Sequence, residues 1–461
     1  MAPVVLHGGL ALRRVVVIGF GVTGRAVTRA LRAHGVDVVV VDDHPTEATV
    51  GAARSEAVDL LVSPSDASLD AVLVAADAVV PSPGVPDGHP VFAAARARGV
   101  PVRSEFDLAD AWDDRPIVAI TGTDGKTTVT TMVTEMLVGS GRRAVACGNT
   151  DVPLVEAIGD PETEVFVVEA SSFRLGHTHR FRPTVATWLN FAPDHLDVHE
   201  SIEAYEWAKA RIWADLGPEA TAVVNVDDPV VVRHRPPTGT TVTFGLGSED
   251  GHGNRPDARV EDGALVLPDG REIVAVDELP RALPHDVSNA LAASVTALAA
   301  GADLDAVRTV LRAFRGLAHR VQLVGQQGEV RWFDDSKATT AHATTAAVAG
   351  FDSVVLIAGG RNKGLDLGVL TATVPPVRAV VAIGEAADEI ASAFAPTGVE
   401  VQTVRTGMAD VVAAAARLAR RGDTVLLSPA CTSFDWYGSY AERGEAFADA
   451  VHRLLSEGSP S

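Results

Sequence analysis

Cysteine, positive charge and long apolar runs are all scarce in this sequence. Its 461 residues include two cysteines, Cys147 and Cys431. Two cannot build a disulfide framework and lack metal-site spacing, so both read as reduced cytosolic thiols. No uninterrupted apolar segment reaches the roughly 18 residues that a membrane-spanning helix needs. The start of the chain does not read as a signal peptide, because Arg13-Arg14 is followed by a short strand-like run and then glycines. Lys and Arg total 39 against 60 Asp and Glu, a net charge of −21. That balance argues against a broad nucleic-acid or anionic-membrane surface, and it leaves room for a local basic site that takes small anions. Short-period repeats and low-complexity tracts are also missing. What remains is a cytoplasmic globular protein, with 47% hydrophobic and 21% charged residues. At roughly 150 residues per domain the length predicts about three domains.

The densest signal is a strand running into a glycine loop. Ile117-Val118-Ala119-Ile120-Thr121 reads as a buried strand, Gly122-Thr123-Asp124-Gly125-Lys126-Thr127-Thr128 as the loop, and Val129 to Val138 as a helix. Glycines let the backbone approach an anion, and its N–H groups then point at phosphate oxygens. Lys126 supplies a point charge for the β- and γ-phosphates, and the Thr127 hydroxyl suits Mg²⁺. The common P-loop has a glycine where this chain has Ile120, so only the short Gly-x-x-Gly-Lys-Thr form is present. The loop points to ATP or GTP, against an ordinary junction with a chance lysine.

A second glycine loop lies near the start. Val15 to Ile18 reads as a strand, Gly19-Phe20-Gly21-Val22-Thr23-Gly24 as its turn, and about 25–33 as a helix. A strand at 38–41 then ends on Asp42-Asp43. The text matches a dinucleotide fingerprint. Alone it supports only a nucleotide or phosphate site, and Asp42 reads either as a ribose contact or as a solvated strand end. Val79 to Val85, with Ser82 and Gly84, is a further strand end and turn, either a ligand loop or a rigid one. The first domain should end near residue 104, with a polar segment from Asp110 to Pro116 before the P-loop strand.

Further along, the strand Val165 to Val168 ends on Glu169, and a carboxylate there suits Mg²⁺. The strand 184–189 opens into Asn190 to Asp197, where His195 is a metal or substrate contact or a structural histidine. A helix is expected over 201–216, capped by Ser201 and carrying Lys209. A helical lysine taken alone is a solvated charge. Residues 236–275 read as a loop and a β-hairpin, followed by helices at 285–300 and 303–314. The last part repeats strand and helix, with strands at 330–334, 354–358, 379–383, 400–404 and 424–427. Polar motifs follow these strands: Asp334 to Thr339, Gly359 to Gly364, and Ser428 to Asp435. Loops after successive strands converge on one edge of a doubly wound sheet. Their lysines, serine and threonines read as a carboxylate pocket or as ordinary loop polarity.

Together, Gly122 to Thr128, Glu169-Ala-Ser-Ser-Phe173, Asp194-His-Leu-Asp197 and Ala208-Lys209-x-Arg211 resemble the Mur ligases, ATP-dependent amino-acid-adding enzymes of peptidoglycan synthesis. Asp335-Ser-Lys-Ala-Thr339 and Ser428-Pro-Ala-Cys-x-Ser-Phe-Asp435 are similar to the D-glutamate-adding branch. The resemblance spans all three expected domains. It implies an α/β chain with a Rossmann-like UDP-substrate domain at 1–104, a central P-loop NTPase-like domain at 105–316 and a doubly wound amino-acid domain at 317–461. It also implies a cytoplasmic monomer with no nucleic-acid partner and no membrane insertion, whose substrates are UDP-N-acetylmuramoyl-L-alanine and D-glutamate. Its cofactors would be ATP, two Mg²⁺ ions and a carbamylated lysine.

Residue by residue, the same resemblance gives Lys126, His195 and Lys209 catalytic roles. ATP would meet Gly122 through Thr128, Asn289, Arg320 and Asp335. The UDP-substrate would meet Gly21, Val22, Thr23, Asp42, Asp43, Ser82, Gly84, Asn149 and His195. D-Glutamate would meet Lys337, Thr339, Lys363, Ser433 and Tyr440. The metal positions would be Thr127, Glu169, His195 and Lys209 as its carbamate. Asp124 and Asp286 stand where the family carries asparagine, and each adds negative charge near a polyanion. Two alternatives stay open: a different ATP ligase of this architecture, including one adding glutamate to folate, and a non-catalytic nucleotide-binding or NAD-linked protein.

Overall fold

Runs of β-branched residues set the frame. In the strand Arg14–Ile18 (β1) the four residues after Arg14 are all buried, and Ile117–Thr121 is buried throughout. Burial on both faces is what parallel strands between helix layers require. The computed structural model describes residues 4–6, 9–237, 239–247 and 255–457. It divides into two compact units. One comprises Met1–Phe191, Asp197–Glu278 and Ser288–Ala313; the other comprises Ala192–Leu196, Leu279–Val287 and Phe314–Ser461. Among the described residues no helix is long and apolar enough to cross a membrane.

The first unit holds two parallel sheets. With β2 (Asp37–Asp42), β3 (Asp59–Val62) and β4 (Ala78–Pro81), β1 forms a sheet of order β3-β2-β1-β4. The second sheet is built from β5 (Ile117–Thr121), β6 (Ala144–Gly148), β7 (Val165–Glu169), β8 (Val185–Trp188), β9 (Thr221–Asn225) and β10 (Thr240–Phe244). Its order is β10-β9-β8-β5-β7-β6.

Three expectations need correction in this unit. The stretch after Ser104 is a helix, Glu105–Trp112, with a Ser104–Asp107 capping box. Its acidic residues are buried because distant groups meet them: Asp107 accepts from the N–H groups of His179 and Arg180 at 2.9 and 2.8 Å. Burial raises the Asp107 carboxyl to about 6. This helix serves two cores, with Phe106 stacked on Phe181 and Leu108 packed in the cluster of β1 and β2. The helix expected over 201–216 runs over Ile202–Ala210, capped by Ser201 as foreseen, and then tightens to a 3-10 turn at Arg211–Trp213. There Ile212 and Trp213 are buried, and Trp213 Nε1 donates to Ala186 O at 3.0 Å. The stretch 236–275 gives β10 and a three-stranded antiparallel sheet of Arg259–Glu261, Ala264–Val266 and Glu272–Ala275. Residues 238 and 248–254 of that stretch lie outside the described residues.

The second unit contains β11 (Gln322–Gln327), β12 (Val330–Asp334), β13 (Val354–Gly359), β14 (Val377–Ile383), β15 (Glu400–Val404) and β16 (Thr424–Leu427), in the order β11-β12-β16-β13-β14-β15. The edge strand β11 was not foreseen. It pairs antiparallel with β12 across a bulge, and its Gln-rich ends are exposed. The three motif-bearing strands β12, β16 and β13 are direct neighbours.

The helix after the first glycine loop spans Val22–Ala33, starting earlier than expected. It comes so close to the sheet that a Cβ on Gly24 would sit 1.9 Å from Gly19 O and 2.8 Å from Ser82 Oγ. A Cβ on Gly21 would meet nothing within 4 Å. Gly24→Ala should therefore cost about 1–3 kcal/mol in urea unfolding, the usual range for overpacking. Gly21→Ala should cost under about 1 kcal/mol, the scale of a helix-cap change. Equal costs would remove the close-approach argument.

Candidate active site

Gly125 has φ +84° and caps the helix Lys126–Gly139 without a side chain. A Cβ there would lie 2.6 Å from Asn289 Oδ1, and one on Gly122 would lie 3.0 Å from Leu189 Cβ. The loop is pinned from the end of β8. Asn190 Oδ1 accepts from the N–H groups of Thr123 and Asp124 at 3.0 and 2.9 Å, and Asn190 Nδ2 donates to Asp124 O at 3.2 Å. Two ammonium groups meet on one loop carbonyl: Lys126 Nζ donates to Gly122 O at 2.9 Å and Lys209 Nζ at 2.7 Å. Lys209 is 1% exposed and lies over the Tyr205 ring, so it is no solvated charge. Thr127 stands in the first helical turn, whose N–H groups have no intrahelical partner.

Glu169 ends β7 and is register partner of Ile120, just before the loop. It is 3% exposed. Its Oε1 accepts from Asn149 Nδ2 at 3.0 Å, while the buried Oε2 has no hydrogen-bond partner. A buried carboxylate oxygen left without a proton donor fits a cation. Among the described residues no three His, Cys, Asp or Glu side chains form a ready cage. Mg²⁺ does not need one, because it takes few carboxylates and completes its shell with phosphate and water. Asn149 in turn meets Arg174, and Arg174 meets Thr23, in the helix that follows β1, at 3.0 Å.

The first sheet gathers its nominated residues at the C-terminal ends of β2, β1 and β4. Gly21 and Val22 open the helix there, and Val22 is 62% exposed. Asp42 Oδ2 accepts from Phe20 N at 2.8 Å, and Asp43 Oδ2 lies 2.8 Å from His89 Nε2. Ser82 Oγ donates to Gly19 O at 2.9 Å, and Gly84 turns with φ +88°. A cavity of about 520 Å³ elsewhere in this unit touches none of the nominated residues. On its wall His199 joins Ser172 Oγ at 2.9 Å to Asp87 at 3.2 Å. Burial and the His199 and His177 imidazoles compete at Asp87, and the imidazoles hold its carboxyl below the usual range.

In the second unit one arginine ties the motif loops together. Arg443 is 1% exposed and donates to Ser336 Oγ and O and to the carbonyls of Thr432 and Cys431. Burial lowers its guanidinium to about 10. Lys337 Nζ sits 3.7 Å from the centre of the Tyr440 ring, Ser433 is buried and Thr339 half-buried. Arg361 N donates to Thr432 O at 3.0 Å, which brings the loop of Lys363 alongside. Lys363 Nζ pairs with Asp194 Oδ1 at 2.5 Å. His195 and Arg320 belong to this unit as well. His195 has φ +55°, and its Nε2 is 3.2 Å from Asp194 Oδ2. The added charge of Asp286 is answered locally by Arg281 at 3.1 Å. Sequence reasoning missed Asn190, Arg174, Arg281 and Arg443. Arg174 directly follows a quoted motif and Asn190 opens one, which was the signal available; the other two carried none.

Three family models match the chain. They are the Mur ligase MurD-like N-terminal domain over 13–104, the Mur ligase middle domain over 120–297 and the Mur ligase glutamate ligase domain over 319–431. Among curated relatives, a UDP-N-acetylmuramoylalanine--D-glutamate ligase of Frankia casuarinae is 44% identical over 454 residues, covering 95% of this chain and 93% of the relative. Those of Shouchella clausii and Thermobifida fusca are each 40% identical, covering 96% of this chain and 97% and 98% of theirs. Solved structures share the fold. A pseudomurein peptide ligase type C from Methanothermus fervidus has TM-score 0.60 at 19% identity, covering 96% of this chain and all of its own. The UDP-N-acetylmuramate-alanine ligase MurC from Thermotoga maritima has TM-score 0.57 at 20% identity, covering 96% and 99%.

Asp335 is buried, and burial raises its carboxyl to about 7 although Ser428 Oγ donates to it at 2.7 Å and Val321 N at 3.2 Å. The folded value exceeds the ordinary 3.8, so the native state binds this proton more tightly than the unfolded chain. The stabilisation is complete below about pH 4 and is lost as pH rises through about 7. Asp335→Asn should flatten that decline in urea midpoints measured from pH 4 to 8. An unchanged slope would assign it to other groups.

Proposed function

Since the chain belongs to the Mur ligase family, we propose that it joins D-glutamate to UDP-N-acetylmuramoyl-L-alanine at the expense of ATP, as a cytoplasmic monomer making peptidoglycan precursor. The observation that carries this reading is identity of 36–44%, over 95–96% of this chain, to relatives that bear the name of that ligase. The glycine loop and the unpartnered Glu169 oxygen beside it support it independently.

The reaction is a phosphoryl transfer followed by an acyl transfer. The L-alanyl carboxylate attacks the γ-phosphorus of ATP, forming an acyl phosphate and releasing ADP. The D-glutamate amine then attacks the acyl carbon and inorganic phosphate leaves. Carboxylate and triphosphate repel each other, so cations must hold them in line. Lys126 takes the β- and γ-phosphates, and the first-turn N–H groups of its helix take further oxygens. Asn289, Arg320 and Asp335 hold the adenosine end of ATP. Gly21, Val22, Thr23, Asp42, Asp43, Ser82, Gly84 and Asn149 hold the UDP-substrate. Lys337 and Lys363 take the two carboxylates of D-glutamate, with Thr339, Ser433 and Tyr440 around it. Thr127, Glu169 and His195 would hold Mg²⁺, which lowers the charge repulsion between phosphate and carboxylate when bound. Lys209 as its carbamate would hold a second ion, since carbamylation turns a buried cation into a two-oxygen anion. Positioning and electrostatic stabilisation supply most of the acceleration.

Phosphate release from ATP tests the reading directly. It should require UDP-N-acetylmuramoyl-L-alanine and D-glutamate together, and L-glutamate, L-lysine or meso-diaminopimelate should not substitute. Release with another amino acid would move the specificity, and no release with any would return the loops to plain nucleotide binding. For Lys209→Ala, a short carboxylic acid in the buffer should restore part of the lost turnover; no restoration at any concentration would count against the carbamate.

A further inference from the structure

Arg174 has no role assigned by the motifs, yet it touches both nominated ligand regions of the first unit. It is 5% exposed, and its charge is met by Glu105, which is 2% exposed, at 2.5 Å from Nε. Its other two nitrogens reach in different directions. Nη1 donates to Asn149 Oδ1 at 2.9 Å, and Nη2 donates to Thr23 Oγ1 at 3.0 Å.

The consequence lies in the Asn149 amide. A guanidinium only donates and a carboxylate only accepts. With Arg174 on one side and Glu169 on the other, the amide has one satisfactory orientation: oxygen to Arg174, nitrogen to Glu169 Oε1 at 3.0 Å. That contact uses Oε1 and leaves the buried Oε2 as the oxygen open to a cation. The Asn149 backbone adds a second tie, donating to Glu169 O at 2.8 Å. A chain of hydrogen bonds therefore runs from Thr23, in the helix that follows β1, through Arg174 and Asn149, to the carboxylate at the end of β7.

We propose that Arg174 is a positioning residue that sets the UDP-substrate contacts Thr23 and Asn149 and, through Asn149, orients Glu169 for its cation. The proposal rests on the ligase reading for the identity of both ligands. Lysine cannot replace this arginine, because an ammonium lacks the planar fork that reaches three fixed partners. Partners behind a metal ligand usually matter about 10- to 100-fold in metal affinity or activity.

Arg174→Lys keeps a positive charge beside Glu105 and removes the fork. Three readings apply to it: the melting temperature, Mn²⁺ affinity of the ADP complex by electron paramagnetic resonance, and calorimetric affinity for UDP-N-acetylmuramoyl-L-alanine. The expected result is a folded protein whose Mn²⁺ and UDP-substrate affinities both fall about tenfold. Thr23→Val provides the second arm, removing a single hydroxyl from the helix that follows β1. Mn²⁺ affinity should drop several-fold in that variant although Thr23 is no metal ligand. Folded variants that hold Mn²⁺ within about twofold of the unaltered protein would overturn the proposal. If Arg174→Lys does not fold, Thr23→Val decides alone. An unaltered protein that binds neither Mn²⁺ with ADP nor the UDP-substrate would instead overturn the ligase reading.

Discussion

A helix that begins on glycine has no side chain to take up its first N–H groups, and those groups become the binding surface. The helix Lys126–Gly139 begins this way. The same choice removes local anchoring, so the loop has to be held from outside its own sequence. Asn190 does this from the end of a neighbouring strand, taking the N–H groups of Thr123 and Asp124 with one amide oxygen. Lys126 and Lys209 hold the carbonyl side, both on Gly122 O. The Lys126 charge is thereby fixed beside the N–H groups, where phosphate oxygens are wanted. The close contacts that a Cβ at Gly122 or Gly125 would make show how little room the arrangement leaves.

All three large sheets apply one rule. Nominated residues follow the C-terminal ends of adjacent strands: β2, β1 and β4 in the first, β5, β7 and β6 in the second, β12, β16 and β13 in the third. Parallel strands make this geometry unavoidable, because every crossover helix returns the chain to the opposite end and leaves the loops that follow the strands on one edge. A buried arginine then fixes loops to each other in the two units, Arg174 in the first and Arg443 in the second. Both are nearly enclosed, so each must be matched by acceptors. Arg174 has a carboxylate, whereas Arg443 has mostly carbonyls, and burial lowers its guanidinium to about 10.

Local chemistry was legible in the sequence, and nonlocal polar pairing was not. The glycine loops, the strand ends and the Ser201 cap could be read because each depends on neighbours in the chain. The helix at 105–112 was hidden because its aspartates looked like linker polarity; their partners, at 179–182, are about 70 residues away. The edge strand β11 was hidden because an exposed edge needs no alternating apolar pattern. Lys209 shows the limit most plainly. Helical position alone argues for a solvated charge, and only tertiary packing puts its ammonium under the loop at 1% exposure. The extra acid at Asp286 looked costly until Arg281 appeared opposite it.

A net charge of −21 and a polyanionic substrate are compatible because the two act over different ranges. Surface carboxylates more than about 8 Å away are largely screened at physiological salt, whereas contacts within a buried loop are not. Attraction is therefore decided by a few cations held in place, and those cations already have partners. Lys363 is paired with Asp194 at 2.5 Å, and both side chains are largely buried. A ligand carboxylate that engages Lys363 must share it with Asp194 or displace it, so it replaces one ion pair with another. Such an exchange yields far less than the full Coulomb attraction, since desolvation is paid again by the incoming ion. Selectivity then comes from the geometry of the exchange. A dicarboxylate that fits both Lys337 and Lys363 recovers two pairings, whereas a monocarboxylate recovers one and leaves the other lysine to its protein partners.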